Sequence, residues 1–91
     1  MCGLAGVLSF SDGSYNSLNK ILDLLKHRGP DDQGTYYDQK ITLGHTRLSI
    51  LDLSPLGHQP MSYAAERYWI IFNGEIYNYL ELRDVLQTKG H

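Results

Sequence analysis

The sequence predicts an α+β fold, and three observations carry that prediction. Two stretches place apolar residues at helical spacing, several short apolar or β-branched runs read as strands, and turn residues stand between them. No internal repeat, low-complexity tract or linker interrupts the order, so the 91 residues read as one domain or part of one.

Gly3 to Phe10 reads as the first strand, with Leu4, Val7, Leu8 and Phe10 apolar and Ser11-Asp12-Gly13 as the turn that stops it. From Tyr15 to Lys26, Leu18, Ile21, Leu22 and Leu25 recur every three or four residues, which predicts an amphipathic helix with Ser14 as its cap. It should end at His27-Arg28-Gly29-Pro30, because proline disfavours helix in the residue before it and glycine tolerates the bend.

Two strands follow, Gly34 to Tyr37 and Lys40 to His45, joined by Asp38-Gln39, with Leu48 to Leu51 as a further extended segment. Asp52 to Pro60 carries Ser54-Pro55, Gly57 and Pro60 and reads as a loop. Tyr68-Trp69-Ile70-Ile71-Phe72 is apolar without alternation, the pattern of a strand covered on both faces. Asn78 with Glu81 three residues later forms an Asn variant of the capping box. It opens a helix whose stripe of Leu80, Leu82, Val85 and Leu86 should be buried up to Gly90.

Composition excludes several classes. A chain that is 42% hydrophobic and 20% charged, with a net charge of −2, is an ordinary globular one without the basic field that a nucleic acid partner would need. One cysteine makes no internal disulfide, and no run approaches membrane-spanning length or resembles a signal peptide. A cytoplasmic location, away from membranes, is expected. The four histidines are spaced too irregularly for a metal signature, so no metal site is expected; His27 and His45 read as structural hydrogen-bonding residues. Tyr36, Tyr37, Tyr68, Trp69 and Phe72 read as core and strand residues, because no basic side chains interleave them.

Chemistry enters at Cys2. Removal of Met1 would put a thiol and a free α-amine on the same residue, a nucleophile with its own base. Free α-amines titrate near ~8 and thiols near ~8.5, so such an amine can accept the thiol proton at neutral pH. The alternative is that Cys2 serves as small apolar filling of a buried strand. Arg47, at a strand junction, could hold a carboxylate through two parallel charge-assisted bonds, or could be a surface arginine. Asn73-Gly74 directly follows the most apolar strand. Its side-chain amide and backbone N–H could converge on one oxygen, as an oxyanion requires, although Asn-Gly is also a favoured hairpin turn.

Six segments in order then carry a resemblance. They are Cys2-Gly3, His27-Arg28-Gly29-Pro30-Asp31-Asp32-Gln33-Gly34, Gly44-His45-Thr46-Arg47-Leu48-Ser49-Ile50, Asp52-Leu53-Ser54, Gln59-Pro60-Met61 and Asn73-Gly74-Glu75-Ile76-Tyr77-Asn78. Together they resemble the start of the glutamine-hydrolysing asparagine synthetases, within the class II glutamine amidotransferases of the N-terminal-nucleophile hydrolase superfamily. The resemblance implies a four-layer αββα sandwich of two antiparallel sheets between helices, cleaving glutamine to glutamate and ammonia. It implies Cys2 as nucleophile, Asn73 and Gly74 as the oxyanion site, and Arg47 on the substrate carboxylate. Glu75 would help hold the substrate amine, and the backbone of Leu48, Ser49, Ile50 and Leu51 would line the slot.

The family continues past a Gly-His like Gly90-His91 into a strand and a Ser-Asp motif, whose aspartate also binds the substrate amine. Residues 1–91 are therefore expected to be the N-terminal portion of the glutaminase domain, poorly stable alone and dependent on the rest of the polypeptide as partner. No cofactor is expected in this chain; ATP and magnesium would belong to an absent synthetase domain. Two alternatives remain at this stage: an asparagine-synthetase-like amidotransferase with another ammonia acceptor, and a non-catalytic fragment or interaction module.

Overall fold

A computed structural model describes residues 2–8, 14–49 and 53–91, with backbone alone for 14–16. Three antiparallel strands, β1 (Gly3–Leu8), β2 (Asp32–Tyr37) and β3 (Ile41–Arg47), form a sheet with β3 in the centre. Register runs from Gly3 opposite Thr46 to Leu8 opposite Ile41 on one side of β3. On the other it runs from Asp32 opposite Arg47 to Tyr37 opposite Thr42. Cys2, Arg47 and Asp32 are thereby gathered at one end of the sheet.

Side chains of β3 alternate between faces. Thr42, Gly44 and Thr46 share the face that meets α1 (Ser14–Leu25), where Leu18 and Leu22 are fully buried. Burying two leucines contributes about 1.5–3 kcal/mol each, so this seam is the apolar core of the first layer. The Thr46 hydroxyl, itself buried, accepts the Gly3 N–H at 3.2 Å and donates to the Leu25 carbonyl at 3.2 Å, tying the helix end to the first strand. After Leu25 a single 3-10 turn, Lys26–Arg28, carries the chain to Gly29. Gly29 is required for closeness and not for the bend: its φ of −150° is open to any residue, but a Cβ would overlap the Thr46 carbonyl.

Several expectations are corrected. Leu48 and Ser49 are not strand, because strand pairing ends with Arg47 and their backbone turns to side-chain partners. Ile50, Leu51 and Asp52 lie outside the described residues, as do Ser9 to Gly13 and the proposed capping side chain of Ser14. The loop before Pro60 contains a 3-10 turn, Pro55–Gly57, followed by an unforeseen strand, β4 (Met61–Tyr63), which pairs antiparallel with β5 (Tyr68–Ile70). Ala64, Ala65 and Glu66 between them all have positive φ, from 53° to 65°.

β5 is not covered on both faces. Trp69 stacks on Tyr36 of the first sheet with ring centroids 4.1 Å apart, while Tyr68 and Ile70, pointing the other way, are each 55% exposed. In α2 (Tyr79–Thr88) the stripe of Leu80, Leu82, Val85 and Leu86 is likewise about half exposed, not buried. Asn78 does not cap this helix with its side chain. Its backbone, at φ −96° and ψ 32°, lacks the extended geometry that aims a cap at the first-turn N–H groups.

The whole is mixed α and β with antiparallel sheets, consistent with the N-terminal part of the sandwich that the resemblance implies. Its solvent-accessible surface is 6929 Å², against about 5,400 Å² for a compact monomer of this mass. The radius of gyration is 14.6 Å, against about 12 Å for this length. Exposed apolar side chains on β4, β5 and α2 contribute to the surface excess. Among the described residues no helix is long and apolar enough to cross a membrane.

Candidate active site

Cys2 sits just before β1, at the end of the sheet where β3 ends. Its Sγ receives the Leu48 N–H at 3.3 Å and lies 3.8 Å from the Leu48 carbonyl oxygen. Two further side chains converge on the Cys2 carbonyl: Asn73 donates through Nδ2 at 3.1 Å, and Arg28 through Nε at 3.4 Å. Cys2, Leu48 and Asn73, separated by up to 71 positions in the chain, thus form one cluster. Gly74 follows directly, against the Phe72 ring.

Arg47 belongs to an adjoining cluster, one residue from Leu48. It is 8% exposed, and its guanidinium donates to the Ser54 carbonyl at 2.7 Å. Gly57 lies so close that a Cβ there would displace the guanidinium. The run after the helix wraps the same strand end. The Asp31 N–H donates to the Arg47 carbonyl at 2.9 Å, and Asp31 Oδ2 accepts the Ser49 N–H at 2.7 Å. An open groove of about 770 Å³ lies here, walled by Asp31, Asp32, Arg47, Ser49, Ser54 and His58 among others. Asp32 and His58 are paired across it through Oδ2 and Nδ1.

The structure therefore brings Cys2, Leu48 and Asn73 together and places Arg47 and Ser49 beside them. Glu75 is in neither cluster: it is exposed and without a hydrogen bond or ion pair among the described residues. Ile50 and Leu51 lie outside the described residues. His27 is exposed on the 3-10 turn without a hydrogen-bond partner among the described residues, so the structural bonding role expected for it is not seen there. His45 does hydrogen-bond. It is 1% exposed, with Nε2 3.2 Å from the Phe72 carbonyl oxygen. Burial pushes its pKa below the ordinary histidine value, against the favourable Phe72 carbonyl.

Arg28, Asp31 and Asp32, like Ser54, stand in the runs that carry the resemblance but are assigned no role there, and neither is His58. The dense charge immediately after the first helix was the available signal for the first three. Among the described residues no group of three or more His, Cys, Asp or Glu side chains could hold a metal.

Comparison with known proteins bears on this geometry. The model of the glutamine amidotransferase domain matches residues 1–91. The chain is 45% identical to an asparagine synthetase [glutamine-hydrolyzing] 1 of Bacillus subtilis, with all of this chain and 15% of that protein covered. It is 44% identical to a putative asparagine synthetase [glutamine-hydrolyzing] 2 of Methanocaldococcus jannaschii, with 92% of this chain and 20% of that protein covered. It is 43% identical to an asparagine synthetase [glutamine-hydrolyzing] of Triphysaria versicolor, with 94% of this chain and 15% of that protein covered. The chain thus spans 15 to 20% of the length of these relatives. With its full length matched, the chain belongs to the glutamine amidotransferase domain family.

Proposed function

We propose that this chain is the glutaminase portion of a glutamine-hydrolysing asparagine synthetase, releasing ammonia from the side-chain amide of glutamine for transfer to aspartate. The observation that carries this reading is the Asn73 side-chain amide on the Cys2 carbonyl, 3.1 Å away. It sets an amide donor at the residue whose sulfur is the only thiol in the chain.

In this reading Met1 is removed and the Cys2 α-amine accepts the thiol proton. Sγ attacks the substrate amide carbon while the Leu48 N–H, already on sulfur, steadies the thiolate. An amide nitrogen has two N–H groups: one of Asn73 is spent on Cys2, and the other, with the Gly74 N–H, receives the oxygen that becomes negative. Collapse expels ammonia, which takes the proton held by the α-amine, and leaves a thioester. Water, deprotonated by the same amine, hydrolyses the thioester to glutamate and restores the thiol.

Arg47 is assigned to the substrate α-carboxylate and Glu75 to the α-amine, with the backbone from Leu48 to Leu51 lining the slot. The open groove beside Arg47 supports the first assignment. The location is proposed as cytoplasmic, and the acceptor, ATP and magnesium chemistry is assigned to a separate synthetase domain. Glutamate release by the native full-length polypeptide carrying this sequence tests the proposal. Cys2→Ser should abolish release, and release persisting in that variant would end the reading.

A further inference from the structure

The segment that carries Asn73 is held in an unusual way. Strand β5 ends at Ile70, and no backbone-to-backbone hydrogen bond among the described residues secures 71–73. Main-chain groups there must find other partners or water. The two polar ends of Phe72 are instead taken by side chains from separate parts of the fold. Gln59 Oε1 accepts the Phe72 N–H at 2.6 Å, and His45 Nε2 meets the Phe72 carbonyl oxygen at 3.2 Å.

A carbonyl only accepts, so His45 Nε2 must carry the proton, and Nδ1 is left with a lone pair. That Nδ1 is buried with no partner among the described residues. An orphaned buried nitrogen is unfavourable, and a leucine of similar size would avoid it. The one service the imidazole performs that leucine cannot is donation to Phe72. The next residue is Asn73, whose amide reaches Cys2.

We propose that His45 and Gln59 are positioning residues: they grip the Phe72 backbone at its carbonyl and its N–H and so fix Asn73 against Cys2, with Gly74 next to it. The kinetic consequence rests on the glutaminase reading above. Neither side chain touches substrate; both act through the backbone. Because the gripped peptide is adjacent to the proposed oxyanion donors, loosening it should affect the transition state more than ground-state binding.

The test uses the native full-length polypeptide and four variants, His45→Leu, His45→Gln, Gln59→Leu and Gln59→Glu. Three quantities are read: glutamine kcat and KM, the rate of Cys2 alkylation by iodoacetamide, and amide hydrogen exchange over residues 71–75. Each leucine variant should lower kcat by about 10–100-fold with KM and alkylation within about twofold, and exchange should quicken about tenfold. The variants that keep a donor at 45 or an acceptor at 59 should return to within about threefold of the parent. If His45→Leu does not fold, Gln59→Leu, at a less buried position, decides the matter. Unchanged kcat and exchange in the leucine variants would overturn the proposal, as would His45→Gln failing as badly as His45→Leu. A parent that released no glutamate would sink the glutaminase reading instead, and exchange alone would then decide whether the grip exists.

Discussion

The Asn73 side-chain amide donates to the carbonyl oxygen of Cys2 at 3.1 Å, joining the segment after β5 to the first described residue. That bond both anchors the amide and leaves it a second N–H. If Asn73 serves the developing charge as proposed, Asn73→Ala should lower glutamine kcat by about 10²–10³-fold, with KM changed far less. Steady-state kinetics on the native polypeptide checks this, and a change confined to KM would place Asn73 in ground-state binding.

Arg47 holds the Ser54 carbonyl and borders the groove. A lysine has the charge but not the planar fork, so it cannot keep that bond and also offer two parallel bonds to a carboxylate. Arg47→Lys should raise KM for glutamine by about 10–100-fold, corresponding to about 1.4–2.7 kcal/mol, while kcat moves little. An unaltered KM would remove Arg47 from carboxylate recognition.

Gly29 lies against the Thr46 backbone, where no Cβ fits. Gly29→Ala should destabilise the fold by about 1–3 kcal/mol through a forced shift of the strand end that carries Arg47. Chemical denaturation measures it. A neutral result would mean the 3-10 turn can move without cost.

His45 titrates below its ordinary value because burial disfavours the imidazolium; Arg47 and His58 add to this, and the Phe72 carbonyl and Asp32 oppose it. The unfolded chain then binds the proton more readily than the folded one. Stability from this group is full above about pH 6.5 and is lost as pH falls from there towards the lower folded value. Denaturation midpoints at pH 7.5 and 5.5 should differ more in the parent than in His45→Gln. Equal pH dependence in the two would show that His45 is not the group responsible.

Legibility followed the range of the interactions. The period of Leu18, Ile21, Leu22 and Leu25 was readable because a helix face is a local pattern; Leu18 and Leu22 are fully buried, while Ile21 at the edge of the face is 38% exposed. Cys2 and Asn73 stood out by residue type, and the structure brings them within hydrogen-bond reach, with the Asn73 amide 3.1 Å from the Cys2 carbonyl oxygen. The two-sided burial expected of Tyr68 to Phe72 failed, since only Trp69 finds a ring to stack on and the outer face of β5 has no cover among the described residues. The partners of His45, Asp32, His58 and Gln59 were not readable, because their bonds link positions 13 to 27 apart in the chain.

Cys2 is proposed to act as a nucleophile whose base is its own α-amine. Intact-mass measurement and glutamate release on one preparation of the native full-length polypeptide test it most directly. The mature polypeptide should show a mass lacking Met1 together with glutamine turnover. Normal turnover from a preparation in which Met1 is uniformly retained would contradict it.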